Sequence, residues 1–308
     1  MSPNSVPVTA ISAKNTSQAK RRFLVLLNTS SGRRQDGNLQ ELLAKYLEPF
    51  DYETLTVGEG IDERLSQRLR EFSPERVIAA GGDGTINLAA KHLLNNPIEL
   101  GIVPTGSANG MARELGLPLN VEDALQIAVG GNVWPIDVLC INGDHFCLHL
   151  SDVGLNAKVV KRFQENSNRG MWGYVVQFLR ELWSTYTSRF TFKLPNGESF
   201  KAHAHMVIAA NASRYGTGAV VNPDAVLDDG KFELCIIKRM PFRGMIRLAF
   251  SIWLGNVKHH PWTTVTSYEE ITIINEGNRM VQTDGEVLGR LPKVHVKALK
   301  QALRVVVG

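Results

Sequence analysis

The sequence predicts an α/β protein in two parts: an N-terminal doubly wound parallel sheet followed by a C-terminal antiparallel β-sandwich. Three observations predict it. Up to Asn132, short apolar runs alternate with stretches whose apolar residues recur at helical spacing. From Trp134 onward the pattern becomes short strands separated by Asn-Gly, Asp-Gly and Glu-Gly pairs. The N-terminal apolar runs also end in small polar turns, on the edge where a doubly wound sheet meets its ligands.

In chain order, residues 1–20 are polar, rich in Ser, Asn, Thr and Ala, and read as a disordered tail rather than a signal peptide. The first domain is expected over 21–132, with 300–308 as a candidate to rejoin it, and the second over 133–299. Residues 22–27 form a near-continuous apolar run, the mark of a parallel strand buried on both faces, and end in Asn28-Thr29-Ser30-Ser31-Gly32. Leu39, Leu42, Leu43 and Leu47 mark a helix stopped by Pro49. A second strand at 52–57 and a helix around 64–69 follow. Arg76-Val77-Ile78 opens a third strand that runs into Ala79-Ala80-Gly81-Gly82-Asp83-Gly84-Thr85, and a helix continues through 86–94 with Thr85 placed to cap it. The fourth strand, 99–104, leads through Thr105-Gly106-Ser107-Ala108-Asn109-Gly110 to a helix at 111–115.

In the second part, strands are expected at 136–141, 146–150, 190–194, 204–210, 232–237, 271–274 and 294–298. A helix at 171–186 interrupts them, with Trp172, Val175, Leu179 and Trp183 along one side for packing or for a lipid-entry groove. A two-residue Asn142-Gly143 loop sets Cys140 opposite His145 and Cys147 opposite Val138. With Cys235, these cysteines have no zinc spacing, so a reduced cytoplasmic protein is expected. The net charge of +4 suits phosphates or an anionic membrane surface and is too small to argue for nucleic acid. The apolar stretch 245–257 contains Arg247 and is too short to span a membrane.

The chemistry concentrates at 81–85. Missing side chains let backbone approach a ligand, and the N–H groups at a helix start favour an anion, so phosphate is the natural guest. Asp83 beside a phosphate implies a cation between them, and Mg²⁺ binds both partners. A single such turn can also be plain turn chemistry. Four of them on one edge, at 28–32, Thr56, 81–85 and 105–109, point to a nucleotide site, although neither the P-loop nor the dinucleotide fingerprint occurs. His203 and His205 read as a solvated strand face, His259-His260 as loop, and Ser107 and Ser151 lack a nucleophile elbow.

Taken in order, five segments resemble the diacylglycerol kinase catalytic-domain family, which includes bacterial lipid kinases and the sphingosine and ceramide kinases. They are Asn28-Thr29-Ser30-Ser31-Gly32, Gly81-Gly82-Asp83-Gly84-Thr85, the run 101–109, the run 223–230 and Thr283-Asp284-Gly285-Glu286. The resemblance implies a two-domain kinase with ATP in the interdomain cleft, a lipid alcohol such as diacylglycerol as acceptor, and a role in phospholipid biosynthesis. Asn28, Thr29, Ser30, Ser31, Gly32, Thr56, Gly82, Asp83, Gly84, Thr85, Asn87, Ser107 and Asn109 would contact ATP. Asp284 would be the general base, with Glu286 orienting it. Asp224, the Leu227 carbonyl and Asp229 would hold a structural Mg²⁺, and a second Mg²⁺ would accompany ATP near Asp83. Work at the inner membrane surface, as a peripheral cytoplasmic protein and a candidate homodimer, is expected. Thr29 stands where the family has proline, Leu88 where an acidic or polar residue is common, and Gly110 where aspartate usually follows Asn109. An NAD kinase and a non-catalytic nucleotide- and lipid-binding module are the alternative readings.

Overall fold

The structure, a computed structural model, describes residues 20–29, 36–154, 186–215, 219–220, 225–253 and 260–308. Residues 1–19 of the expected tail, Ser30, Ser31, Gly32, Asp224 and the expected helix up to residue 185 lie outside the described residues.

Four parallel strands form the N-terminal part. β1 (Arg22–Leu27), β3 (Arg76–Gly81) and β4 (Glu99–Pro104) are buried nearly end to end, as their unbroken apolar sequences require. β2 (Asp51–Thr56) alternates exposed and half-buried residues at the sheet edge. The order is β4-β3-β1-β2. The connecting helices are α1 (Asp36–Leu47), α2 (Ile61–Phe72), α3 (Asp83–Leu93), α4 (Gly110–Glu114) and α5 (Val121–Gly130). Period-two alternation divides the strands between two layers. Phe23, Val25 and Ile78 pack on one face against Leu39, Leu43 and Leu47 of α1 and Leu125 of α5. Leu24, Leu26 and Val77 pack on the other against Leu65 of α2 and Ile86, Ala89 and Leu93 of α3.

Arg76, only 2% exposed, fastens α5 to this sheet. Its guanidinium donates to the Ala128 and Val129 carbonyls at 2.7 and 2.8 Å and pairs with Glu99 at 2.6 Å. A cation thus sits where the last carbonyls of a helix carry partial negative charge. The sequence reading passed over α5, whose start is capped by the Asn120 side chain accepting from the Glu122 and Asp123 amides.

The rest is antiparallel. Its elements are β5 (Asn132–Ile141), β6 (His145–Cys147), β7 (Leu150–Val153), β8 (Ser188–Lys193), β9 (Ser199–Ala210), β10 (Arg214–Tyr215), β11 (Ala219–Val220), β12 (Phe232–Lys238), α6 (Phe242–Trp253), β13 (Thr263–Tyr268), β14 (Glu270–Asn275), β15 (Met280–Thr283), β16 (Glu286–Arg290) and β17 (Lys293–Val307). The strand path is β16-β15-β7-β9-β8-β14-β17, with β12 on β9, β13 on β12, and β5 and β6 joined through β17. Phe190, Phe192, Phe232, Ile271, Ile273, Val294 and Val296 fill its core. The predicted fold class is therefore the observed one, a parallel α/β part followed by a β-sandwich part.

Two long strands pass through both parts. β17 pairs antiparallel with β5 along its length, and near its end Val305 pairs in parallel with Leu100 of β4. The β5–β17 register shifts between Leu299 and Leu303, where Gln301 takes φ 50°. The Gln301 N–H turns to the fully buried Asp137 carboxylate at 2.7 Å, which also accepts from the Gly230 N–H at 2.5 Å. Burial pushes the Asp137 pKa up, while these two amide bonds pull it back.

Four local expectations are corrected. The 142–144 loop has three residues, not two, so Cys140 faces Phe146 and Cys147 faces Leu139. Asn142 and Gly143 take φ 55° and 92° in it. α3 begins at Asp83 with Gly82 as its N-cap, so Thr85 is a buried first-turn residue rather than the cap. His205 is 8% exposed, not solvated: it lies in mid-strand, between Ala204 and Met206, where the β9–β12 register shifts. The expected 146–150 strand is broken into β6 and β7, for the reason given next.

Candidate active site

The four turns at the carboxyl ends of β1 to β4 lie along one edge of the parallel sheet, and hydrogen bonds lock three of them together. Asn28 donates through its backbone N–H to the Ala80 carbonyl at 2.9 Å and through Nδ2 to Thr85 Oγ1 at 3.0 Å. The Thr105 N–H reaches the Gly81 carbonyl at 3.0 Å. Gly82 and Gly106 touch backbone to backbone: a Cβ on Gly106 would stand 2.5 Å from the Gly82 Cα. Only glycine permits that approach. Asn109 takes the left-handed conformation at φ 50° and donates to the Gly106 carbonyl at 2.8 Å, and its buried Oδ1 has no partner among the described residues. Thr29, Thr56, Gly84 and Ser107 are exposed around this edge.

Asp83 ties the second turn to the fourth. Its two oxygens accept the Gly110 and Met111 amides, each at 3.0 Å, so the carboxylate sits on the first N–H groups of α4. Each oxygen keeps a lone pair, and the side chain is 29% exposed.

Asp284 and Gly285 form the two-residue turn between β15 and β16, with φ of 46° and 87°. The Asp284 side chain crosses to the break between β6 and β7. There Oδ2 accepts the Leu148 N–H at 2.7 Å, and Oδ1 accepts the His149 and Leu150 N–H groups at 3.0 and 3.1 Å. This explains the broken strand: three consecutive amides turn to one carboxylate instead of to a neighbouring strand. The Cys147 thiol adds a contact at 3.4 Å, and burial with the adjacent carboxylate pushes its pKa well up, so it stays a donor. From the other part of the chain, Asn87 Nδ2 of α3 reaches Asp284 Oδ2 at 3.4 Å.

His149 joins the two carboxylates. Its backbone N–H holds Asp284, and its ring Nε2 lies 3.9 Å from Asp83 Oδ1. The ring fills the space beside Gly110, where a Cβ would come within 3.2 Å of its Cε1. The sequence reading missed His149; its one signal was a polar residue between Leu148 and Leu150 in an otherwise apolar run. Glu286 is exposed on the same cleft, while the groups that orient Asp284 are the amides of 148–150.

Beside Asp284 opens a cleft of about 440 Å³ whose walls include Leu88, Leu94, Val138, Phe146, Leu148 and Leu288. The lining is mixed: Asn87, Asp284 and Glu286, with Asp62, Lys91, Asp144 and His145, stand among these apolar residues. Of the expected second metal set, the Leu227 carbonyl accepts the Asp137 N–H at 2.6 Å and Asp229 accepts the Lys231 N–H at 2.9 Å. Among the described residues no cluster of three or more His, Cys, Asp or Glu side chains stands ready for a metal ion.

Residues 22–141 match the family model of the diacylglycerol kinase catalytic domain, and residues 151–307 match that of the "YegS C-terminal NAD kinase beta sandwich-like domain". Proteins named "Probable lipid kinase YegS-like" from Yersinia pestis (strain Pestoides F) and Yersinia pseudotuberculosis (serotype O:1b, strain IP 31758) are each 27% identical over 264 residues, covering 81% of this chain and 84% of theirs. A solved structure from Bacillus anthracis (strain Sterne), described as a "putative diacylglycerol kinase", shares the fold at a TM-score of 0.79 and 22% identity, covering 94% of this chain and 97% of that one. Fold and family matches together place the chain in the lipid-kinase class. The chain belongs to the diacylglycerol kinase catalytic-domain family, with the YegS-type C-terminal domain.

Proposed function

We propose that this protein transfers the γ-phosphoryl group of ATP to the hydroxyl of a lipid alcohol of the diacylglycerol type. The observation that carries the reading is the placement of Asp284: a carboxylate of the C-terminal part, oriented by three amides, meets α3 at Asn87 and is linked through His149 to Asp83. Phosphoryl transfer is mainly positioning and charge stabilisation, with one carboxylate aligning the nucleophile.

The Gly82–Gly106 contact leaves the backbone at the start of α3 bare, which fits the phosphates of a nucleotide. Asn28, Thr85 and Asn109 hold that turn rigid. Asp284 accepts the proton of the acceptor hydroxyl, and Leu88, Phe146, Leu148 and Leu288 of the mixed cleft lining offer apolar contact to the adjoining carbons. The lone pairs left on Asp83 fit Mg²⁺, which would neutralise charge on the phosphates when bound. Asp224, Leu227 and Asp229 remain the proposed holders of a second, structural Mg²⁺. The product would be a phosphatidic acid-type phospholipid precursor made at the inner face of the cytoplasmic membrane.

The test is radiolabelled ATP with Mg²⁺ and a lipid extract of the host, comparing wild type with Asp284→Ala, with NAD as a separate acceptor. A labelled lipid that appears only with wild type supports the reading. Label on NAD, or on no acceptor at all, overturns it.

A further inference from the structure

The helix α6 is anchored along one side and presents exposed residues on the other. Gly244 and Leu248, one helical turn apart, are buried. A Cβ on Gly244 would come within 3.1 Å of the Trp262 ring, and the Gly244 carbonyl contacts His260 Nε2 at 3.2 Å. On the opposite side Ile246 is 45% exposed, with Arg243 exposed beside it and Arg247 exposed at the flank between that side and the anchored one. Lys238 and Arg239, exposed at the end of β12 and just beyond it, lead into this face.

The charge is one-sided. From Glu233 to Glu269 the sequence contains no Asp or Glu, so these cations have no acidic neighbour along the chain. None of the four is ion-paired with a described acidic residue. A surface meant only for water gains nothing from an exposed isoleucine beside two exposed arginines on one helix. A bilayer gains from both, because arginine heads meet anionic headgroups while the apolar residue enters the acyl boundary.

We propose that the exposed face of α6 is a docking surface for an anionic lipid bilayer, seating the protein on the phase from which its acceptor comes. The inference rests on the lipid-acceptor reading for its purpose only, since docking is measured without ATP. Each basic residue close to an anionic surface strengthens partitioning about fivefold. The double variant Arg243→Gln/Arg247→Gln should therefore lose about 25-fold.

The experiment is sedimentation of the full-length protein with phosphatidylcholine vesicles made with or without phosphatidylglycerol. Wild type is expected on the anionic vesicles alone and to be released at about 1 M salt, where the screening length falls to about 3 Å. The double variant and, separately, Ile246→Asp should stay in solution with unchanged thermal melting. Phosphorylation of a short-chain, water-soluble acceptor should be unchanged in the double variant while that of a vesicle-borne one falls. Equal binding to both vesicle types, wild-type binding by the double variant, or α6-dependent capture of a protein without binding to either vesicle would each overturn the proposal. Docking without kinase activity would leave it standing and sink the kinase reading instead.

Discussion

Asp284→Asn separates the two jobs that Asp284 can have. Asparagine tolerates the left-handed backbone of φ 46°, so the turn between β15 and β16 persists. The amide keeps one acceptor oxygen, which serves the His149 and Leu150 N–H groups if it takes the Oδ1 position. Its nitrogen then faces the Leu148 N–H, which loses its bond of 2.7 Å. One buried N–H left unpaired costs about 1–3 kcal/mol. A loss near 2 kcal/mol lowers Tm by about 4–8 °C in a protein of this order of size. A proton acceptor in the transition state is worth about 10²–10⁴-fold in rate. The variant should therefore stay folded at assay temperature while kcat for lipid phosphorylation falls by at least a hundredfold, about 3 kcal/mol of barrier. Thermal melting and initial rates with radiolabelled ATP are measured on one preparation. A lowered Tm with kcat within about threefold of wild type, well short of that range, would refute the catalytic assignment and leave Asp284 as a structural clasp.

Three further outcomes are expected. Gly106→Ala drives a Cβ to 2.5 Å from the Gly82 Cα, so the two turns must part; KM for ATP should rise at least about tenfold in a titration of rate against ATP, with a smaller change in KM for the acceptor. Gly110→Asp puts bulk against His149 and a second negative charge beside Asp83, and should cost about 1–3 kcal/mol in denaturant unfolding, much of it recovered in the double variant with His149→Ala. His260 is held below its ordinary pKa, first by burial and then by the nearby Arg247. The folded state therefore binds fewer protons than the unfolded one just below the unperturbed value of about 6.5, and stability falls as pH drops through that region. The slope of Tm between about pH 7 and 5 should flatten in His260→Gln.

The N-terminal part was legible because buried parallel strands leave unbroken apolar runs, and the turns after them carried their own chemistry in Asn28, Gly82, Asp83 and Asn109. The turn at Asp284-Gly285 was equally plain. What could not be read was the reach of Asp284 to 148–150. Those residues look like a continuation of β6, and only a distant carboxylate stops them pairing as one. His149 was hidden for the same reason, since its meaning comes from Gly110 and Asp83 in space. The end of β17 was obscured by Lys300 and Gln301, which break the alternation where the ladder changes register.

That change of register has a mechanical consequence. β5 and β17 pair along the length that both parts of the chain share, β17 also pairing β14 in one part and β4 in the other, so the two parts cannot slide apart without breaking ladder bonds. The β5–β17 ladder is interrupted around Gln301. Asp137 clamps that gap by holding the Gln301 and Gly230 amides together. One buried carboxylate thus ties together the strand stretch that carries no rungs and the turn at Gly230.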